Sequence, residues 1–345
     1  MRRLPRAQLP GLPRWIGFGL GLALLVALPA FVSAHGTAPE PPSNPLGLLL
    51  QWSFDPLIQV PLIATAVAYL SAVRRVNAAH ASNPVPFRRT AAFLLGLGAI
   101  EVALQSPIEH YDTTLFSLHM VQHILLTLVA PPLIAAGAPV TLLLRFAKPD
   151  VRRRWILPIL HSRPLKVVTF PVVTWLLFAG VMWGTHFSPV FNESLENPLV
   201  HDLEHLAYLG AGLLFWWPII AVDPSPWRMP HPMRTIYAFL QMPQNTFLAL
   251  AIYSSSTPLY AHYATLQRTW GPTVVADQQL AGGLMWIAGD LIFLAAILFV
   301  VAQWMRQEDR DAVRTDARVD EERAAIRQRE TALADRLARE RAGDG

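Results

Sequence analysis

The chain contains no cysteine and comparatively few charged residues. Without cysteine it can form neither a disulfide nor a thiolate metal site, so any bound metal must be held by histidine, methionine, aspartate or glutamate. Charged residues make up 15% of its 345 residues, whereas a soluble protein carries about 25%. This low charge content argues against a soluble protein and favours a membrane protein.

The sequence also lacks several motifs that identify enzymes. It has no phosphate-binding loop, no recognisable nucleophile–base arrangement and no HExxH metalloprotease motif. We therefore expect a protein that is not an enzyme.

Apolar sequence is abundant instead, at 53% of the residues. A helix needs about 20 apolar residues to cross the ~30 Å hydrocarbon core of a bilayer. Seven runs of this kind predict an all-α, polytopic transmembrane helical bundle with its membrane domain at residues 56–305, followed by a charged cytoplasmic tail at 306–345. The predicted spans are 56–73, 90–108, 115–137, 167–185, 203–222, 234–255 and 281–304.

An eighth apolar run, at residues 15–34, follows a stretch that contains four arginines. Its basic start and small-residue end predict a signal peptide that is cleaved after Ala34, with an uncleaved first helix as the alternative. The polar, proline-rich stretch that follows, within residues 35–55, is then an exported linker.

The basic residues predict the orientation of the chain. If the N-terminus lies inside and the spans alternate, the inward segments hold 27 of the 28 lysines and arginines, and Arg268 alone lies outside. Because basic loops stay on the cytoplasmic side, this predicts a multi-pass protein of the bacterial inner membrane with a cytoplasmic C-terminus. The basic character then reflects contact with membrane lipid rather than with nucleic acid.

Two histidine pairs lie near the predicted outward ends of two spans. His119 and His123 belong to the third span, and His201 and His205 to the start of the fifth. Residues four apart share one face of a helix. Ionisable groups in lipid-spanning helices are costly, so the ones that do occur are candidates for a function. Imidazole is a ligand for copper, zinc, iron and nickel. The four histidines are therefore candidate ligands of one metal ion.

Other polar residues have less specific interpretations. We expect Glu101 and Asp290 to form hydrogen bonds inside the bundle, and His186 could supply a fifth ligand. Asp277 could cap the last helix or orient a ligating histidine.

The third span has a recognisable pattern. The segment His119-Met120-Val121-Gln122-His123, with Ala130-Pro131-Pro132 and Gly137-Ala138-Pro139 after it, resembles the signature of the CtaG-type cytochrome c oxidase assembly factors. Later segments continue the likeness, which extends over about residues 50–305: Phe215-Trp216-Trp217-Pro218, Pro258-Leu259-Tyr260, and Asp277-Gln278-Gln279-Leu280-Ala281-Gly282. The resemblance implies a role in forming active oxidase, with oxidase subunits as partners and copper handled at the outer membrane face.

Our hypothesis from the sequence is an oxidase assembly factor that binds copper through the four histidines and passes it to the oxidase. One alternative is a membrane b-type cytochrome, with haem b held between one histidine from each pair. Another is a copper permease that uses Glu101 and Asp290 along its path. A scaffold without metal is a further possibility.

Overall fold

The computed structural model describes residues 46–47 and 50–343, and this part of the chain is helical, with no strand in it. The predicted signal peptide and most of the predicted linker lie outside the described residues. The helices are α1 (Pro56–Ala79), α2 (Phe87–Gln105), α3 (Pro107–Tyr111), α4 (Phe116–Ile124), α5 (Ala130–Ala136), α6 (Pro139–Phe146), α7 (Pro149–Val151), α8 (Leu157–Leu160), α9 (Arg163–Val168), α10 (Pro171–His186), α11 (Val190–Glu196), α12 (Pro198–Ile220), α13 (His231–Phe239), α14 (Gln241–Tyr253), α15 (Ala261–Thr265) and α16 (Val274–Gly343), with π-helical turns at Leu125–Val129 and Arg152–Ile156.

Five segments of the described chain are long and apolar enough to cross a membrane. They confirm the prediction of an all-α, multi-pass protein, but not the full count of seven spans. The five segments are Pro56–Ala79, Phe87–Tyr111, Phe116–Phe146, Pro198–Ile220 and the apolar first part of Val274–Ala334.

The two remaining predicted spans are helical, but prolines shorten or break them. The run at 167–185 becomes α10, which has only 16 residues. It starts at Pro171 because the residue before a proline, here Phe170, is driven into the extended conformation. The run at 234–255 is split at Leu240 into α13 and α14. Pro243 contributes to this break because it cannot donate a hydrogen bond to the preceding turn.

The third predicted span changes its helical geometry just beyond its histidines. The π-helical turn at Leu125–Val129 leads into Pro131 and Pro132. Since Pro131 has no N–H, the Thr127 carbonyl loses its intrahelical donor. That carbonyl instead accepts a hydrogen bond from Trp216 Nε1 of α12 at 2.9 Å. The turn thereby joins the two histidine-bearing helices, α4 and α12.

The start of α4 is fixed by a carboxylate from the last helix. Asp277 accepts hydrogen bonds from the backbone N–H of Phe116 at 2.8 Å and of Ser117 at 3.3 Å, and from the Ser117 hydroxyl at 2.6 Å. Asp277 thus caps α4, and the prediction that it caps the last helix was wrong.

The last helix continues far beyond the bundle. α16 has 70 residues, which corresponds to ~105 Å at about 1.5 Å per residue. From Arg306 onwards nearly all of its described side chains are exposed. The predicted charged tail is therefore a continuation of the last helix.

Candidate metal centre

The four predicted histidines lie in one buried cluster between α4 and α12. Within each pair the ring centroids are 4.1 Å apart. Between the helices, the rings of His119 and His201 are 5.5 Å apart, and those of His123 and His205 are 6.2 Å apart. The i,i+4 spacing places each pair on one face of its helix, and α12 packs on the π-helical turn and on α5, which follow α4.

His119 and His123 have ring nitrogens without hydrogen bonds. In the part of the chain that the structure describes, neither nitrogen of either ring has a hydrogen-bond partner. Glu204 Oε2 lies 3.9 Å from Nε2 of each ring, and the Glu204 oxygens are also unbonded there. A buried polar group left without a partner costs about 1–3 kcal/mol. Two imidazoles and one carboxylate thus face a common point, with donor atoms within 4.8 Å of one another.

The second histidine pair has polar partners. His201 Nε2 lies 3.3 Å from Asp112 Oδ2. His205 Nε2 donates to Gln122 Oε1 at 3.0 Å. The Gln122 amide in turn donates to a Glu109 carboxylate oxygen. These two histidines therefore belong to a network of carboxylates and an amide on the segment that precedes α4.

Sequence reasoning missed Glu109 and Asp112. Their donor atoms form two further groups with the histidines, Asp112–His119–His201 and Glu109–Asp112–His205, each within 4.8 Å. Both carboxylates are buried, and burial raises the pKa of Asp112, which lies between two spans, well above its ordinary value. The available signal was two acidic residues in the short polar segment between the second and third predicted spans, shortly before His119.

Other candidates from the sequence lie beside the cluster or away from it. His186 is 6.1 Å from His123 between ring centroids, and its Nδ1 bonds to the Met182 carbonyl at 2.7 Å. Glu101 accepts a hydrogen bond from Gln59. Asp290 accepts one from the Thr246 hydroxyl at 2.8 Å, so both acids bond inside the bundle, as expected.

A connecting segment covers the Asp112 end of the cluster. The Tyr263 hydroxyl donates to the Asp112 carbonyl at 2.7 Å. His262 Nε2 donates to the Thr113 carbonyl at 2.9 Å, and Arg268 donates to the Thr114 carbonyl at 3.1 Å. Three side chains from the segment between α14 and α16 therefore hold the loop that carries Asp112.

The fold and this centre define a class of protein: an all-helical, multi-pass membrane protein with imidazoles and carboxylates gathered at one end of its bundle. Within that class, the chain belongs to the cytochrome c oxidase caa3 assembly factor family, whose model matches residues 67–307. The match includes all four predicted histidines and confirms the CtaG-type resemblance.

Two mycobacterial relatives are similar over most of this chain. An uncharacterized protein of Mycobacterium bovis is 31% identical over 293 residues, which are 83% of this chain and 44% of the relative. An uncharacterized protein of Mycobacterium leprae is 32% identical over 289 residues, or 82% and 43% of the two chains. The chain therefore spans less than half the length of these curated relatives. No solved structure matches it significantly.

Proposed function

We propose that the protein binds a copper ion between His119, His123 and Glu204, with His201 and His205 alongside, and supplies it to cytochrome c oxidase during assembly. Family membership supports the role in oxidase assembly. The observation that carries the copper site is the pair of buried imidazoles whose ring nitrogens have no hydrogen-bond partner within the described residues.

The chemistry of the donors favours a transition metal over a hard cation such as Mg²⁺. Imidazole suits copper and zinc, and copper has the highest affinity among the divalent first-row ions. The charges in the cluster also favour a bound cation, because no lysine or arginine among the described residues pairs with Glu204, Asp112 or Glu109. A buried carboxylate without a counter-ion is costly, and a bound cation would supply the missing charge.

The proposed delivery takes place on the outer side of the membrane. The five long segments, together with α10 and the α13–α14 pair, can supply seven crossings. With the basic loops inside, the histidine cluster then lies in the outer half of the bundle. A copper-requiring oxidase subunit on that side is the proposed recipient.

The test is the copper content of the purified protein and the oxidase activity of membranes from cells that express each variant. His119→Ala/His123→Ala should lose bound copper and lower the oxidase activity, because it removes both unbonded imidazoles. The matched control, His80→Ala/His161→Ala, removes two exposed histidines and should change neither quantity. Unchanged copper content and unchanged oxidase activity in the first variant would contradict the proposal.

An absorption spectrum of the same sample tests the haem alternative. In that alternative one imidazole from each helix would hold the haem, whereas the two imidazoles without hydrogen bonds to described residues, His119 and His123, both belong to α4. We therefore expect no Soret band. The permease alternative predicts instead that deletion of the protein lowers total cellular copper.

A further inference from the structure

A second group of donors lies next to the proposed copper site. Asp112 Oδ2 is 3.3 Å from His201 Nε2, and donor atoms of Asp112, His119 and His201 lie within 4.8 Å of one another. All three side chains are buried. Apart from this contact with His201, Asp112 Oδ2 makes no hydrogen bond to any described residue, so the oxygen is available to a cation.

His119 belongs to both groups. It joins His123 and Glu204 on one side and Asp112 and His201 on the other. The two groups are therefore adjacent parts of one cluster rather than separate sites. Asp112 is also the residue whose backbone the covering segment holds through Tyr263, so the second group lies on the side of the cluster that this segment covers.

The cluster contains more donors than one ion requires. The overlapping groups include seven side chains that could each offer a ligand atom, three of them carboxylates. A tetragonal copper(II) ion takes about four close donors. One ion therefore leaves about three of the seven side chains without a role as ligands, enough to contribute to a second position.

We infer that the protein has a second cation position, formed by Asp112 and His201 beside His119, so that the cluster takes two divalent ions that prefer imidazole and carboxylate ligands. The inner position is the proposed copper site, and the inference rests on that proposed function. The outer position is the one next to the covering segment.

The experiment counts copper ions per chain in the full-length protein. Purified protein is stripped with a chelator, loaded with Cu²⁺, desalted and measured for metal content and by electron paramagnetic resonance. The wild type should hold two ions with a spin-coupled signal. Asp112→Asn/His201→Ala and His123→Ala/Glu204→Gln should each hold one ion, with the signal of an isolated copper(II).

Two controls keep the count interpretable. Asp290→Asn/His161→Ala removes one carboxylate and one histidine outside the cluster and should still hold two ions. Asp112→Asn alone preserves the size of the side chain and should hold one, which guards against a double variant that does not fold.

The possible failures differ from one another. A wild type with one ion, lost in both cluster variants, overturns the second position and leaves the proposed copper site intact. Two ions retained after the Asp112 and His201 changes also overturn the second position. A wild type without copper overturns both proposals.

Discussion

Glu204 lies three residues after His201 and one before His205 on α12, yet its carboxylate approaches the histidines of α4. On a helix, the i+3 position shares a face with the residue at i, so Glu204 points into the same cluster as His201. The side chain of one helix thereby supplies the negative charge that faces the unbonded imidazoles of another.

Gly212 shows how one residue sets the distance between α12 and the segment that follows α4. A Cβ atom at this position would lie 2.9 Å from the Thr127 carbonyl oxygen and 2.8 Å from Pro131. Gly212→Ala should destabilise the protein by about 1–3 kcal/mol, the usual cost of overpacking, because the neighbour is backbone and cannot move aside easily. A lower midpoint of thermal unfolding would confirm this.

Gly210 offers the matched control two residues earlier on the same helix. No atom lies within 4 Å of a Cβ built there, and alanine is the better helix former by up to about 1 kcal/mol. Gly210→Ala should leave the midpoint unchanged or raise it slightly. Equal losses in both variants would mean that the close approach of α12 to the π-helical turn and α5 does not limit stability.

At the scale of elements, the cap of α4 should couple helix stability to metal binding. Asp277→Ala removes the acceptor of the Phe116 and Ser117 N–H groups. Loss of a cap costs about 0.5–2 kcal/mol, and here it also leaves Arg268, 3.6 Å away, without its carboxylate. Both the unfolding midpoint and the copper affinity should fall, as measured by thermal unfolding and by competition with a copper chelator.

Asp223 is a comparable cap elsewhere in the molecule. It accepts hydrogen bonds from the backbone N–H groups of Val140 at 3.0 Å and Thr141 at 2.7 Å, at the start of α6. Asp223→Ala should lower the unfolding midpoint by a similar amount and leave copper affinity unchanged. If both variants lowered the affinity equally, the effect of Asp277 would be general destabilisation rather than the positioning of α4.

Much of the helical architecture could be predicted from apolar runs, because each span must satisfy its backbone within itself in lipid. The breaks at Phe170 and Leu240 were harder, since a proline in an apolar run can either kink a helix or end it. The histidine pairs could be found by their regular spacing. Spacing could not identify Glu109 and Asp112, because they join the cluster through a short helix and a loop that have no periodic relation to His119.

At the scale of the whole molecule, basic residues avoid one set of connecting segments. The predicted outward segments contain Arg268 alone, and its guanidinium lies 3.6 Å from a carboxylate oxygen of Asp277 and bonds to the Thr114 carbonyl. The single exception is thus bound to protein rather than presented to lipid. This distribution supports an orientation with the cluster outside and the long C-terminal helix inside.

The absence of cysteine allows a direct test of that orientation. A single cysteine can be introduced at Ser256, between α14 and α16, or at Ser82 or Gln307, all of which are exposed. In intact spheroplasts a membrane-impermeant maleimide should label Ser256→Cys alone, because the basic loops hold the other two positions inside. All three should react once the membrane is permeabilised, which controls for access. Labelling of Gln307→Cys in intact spheroplasts would invert the topology and move the histidine cluster to the cytoplasmic half, where it could not deliver copper to the outer side.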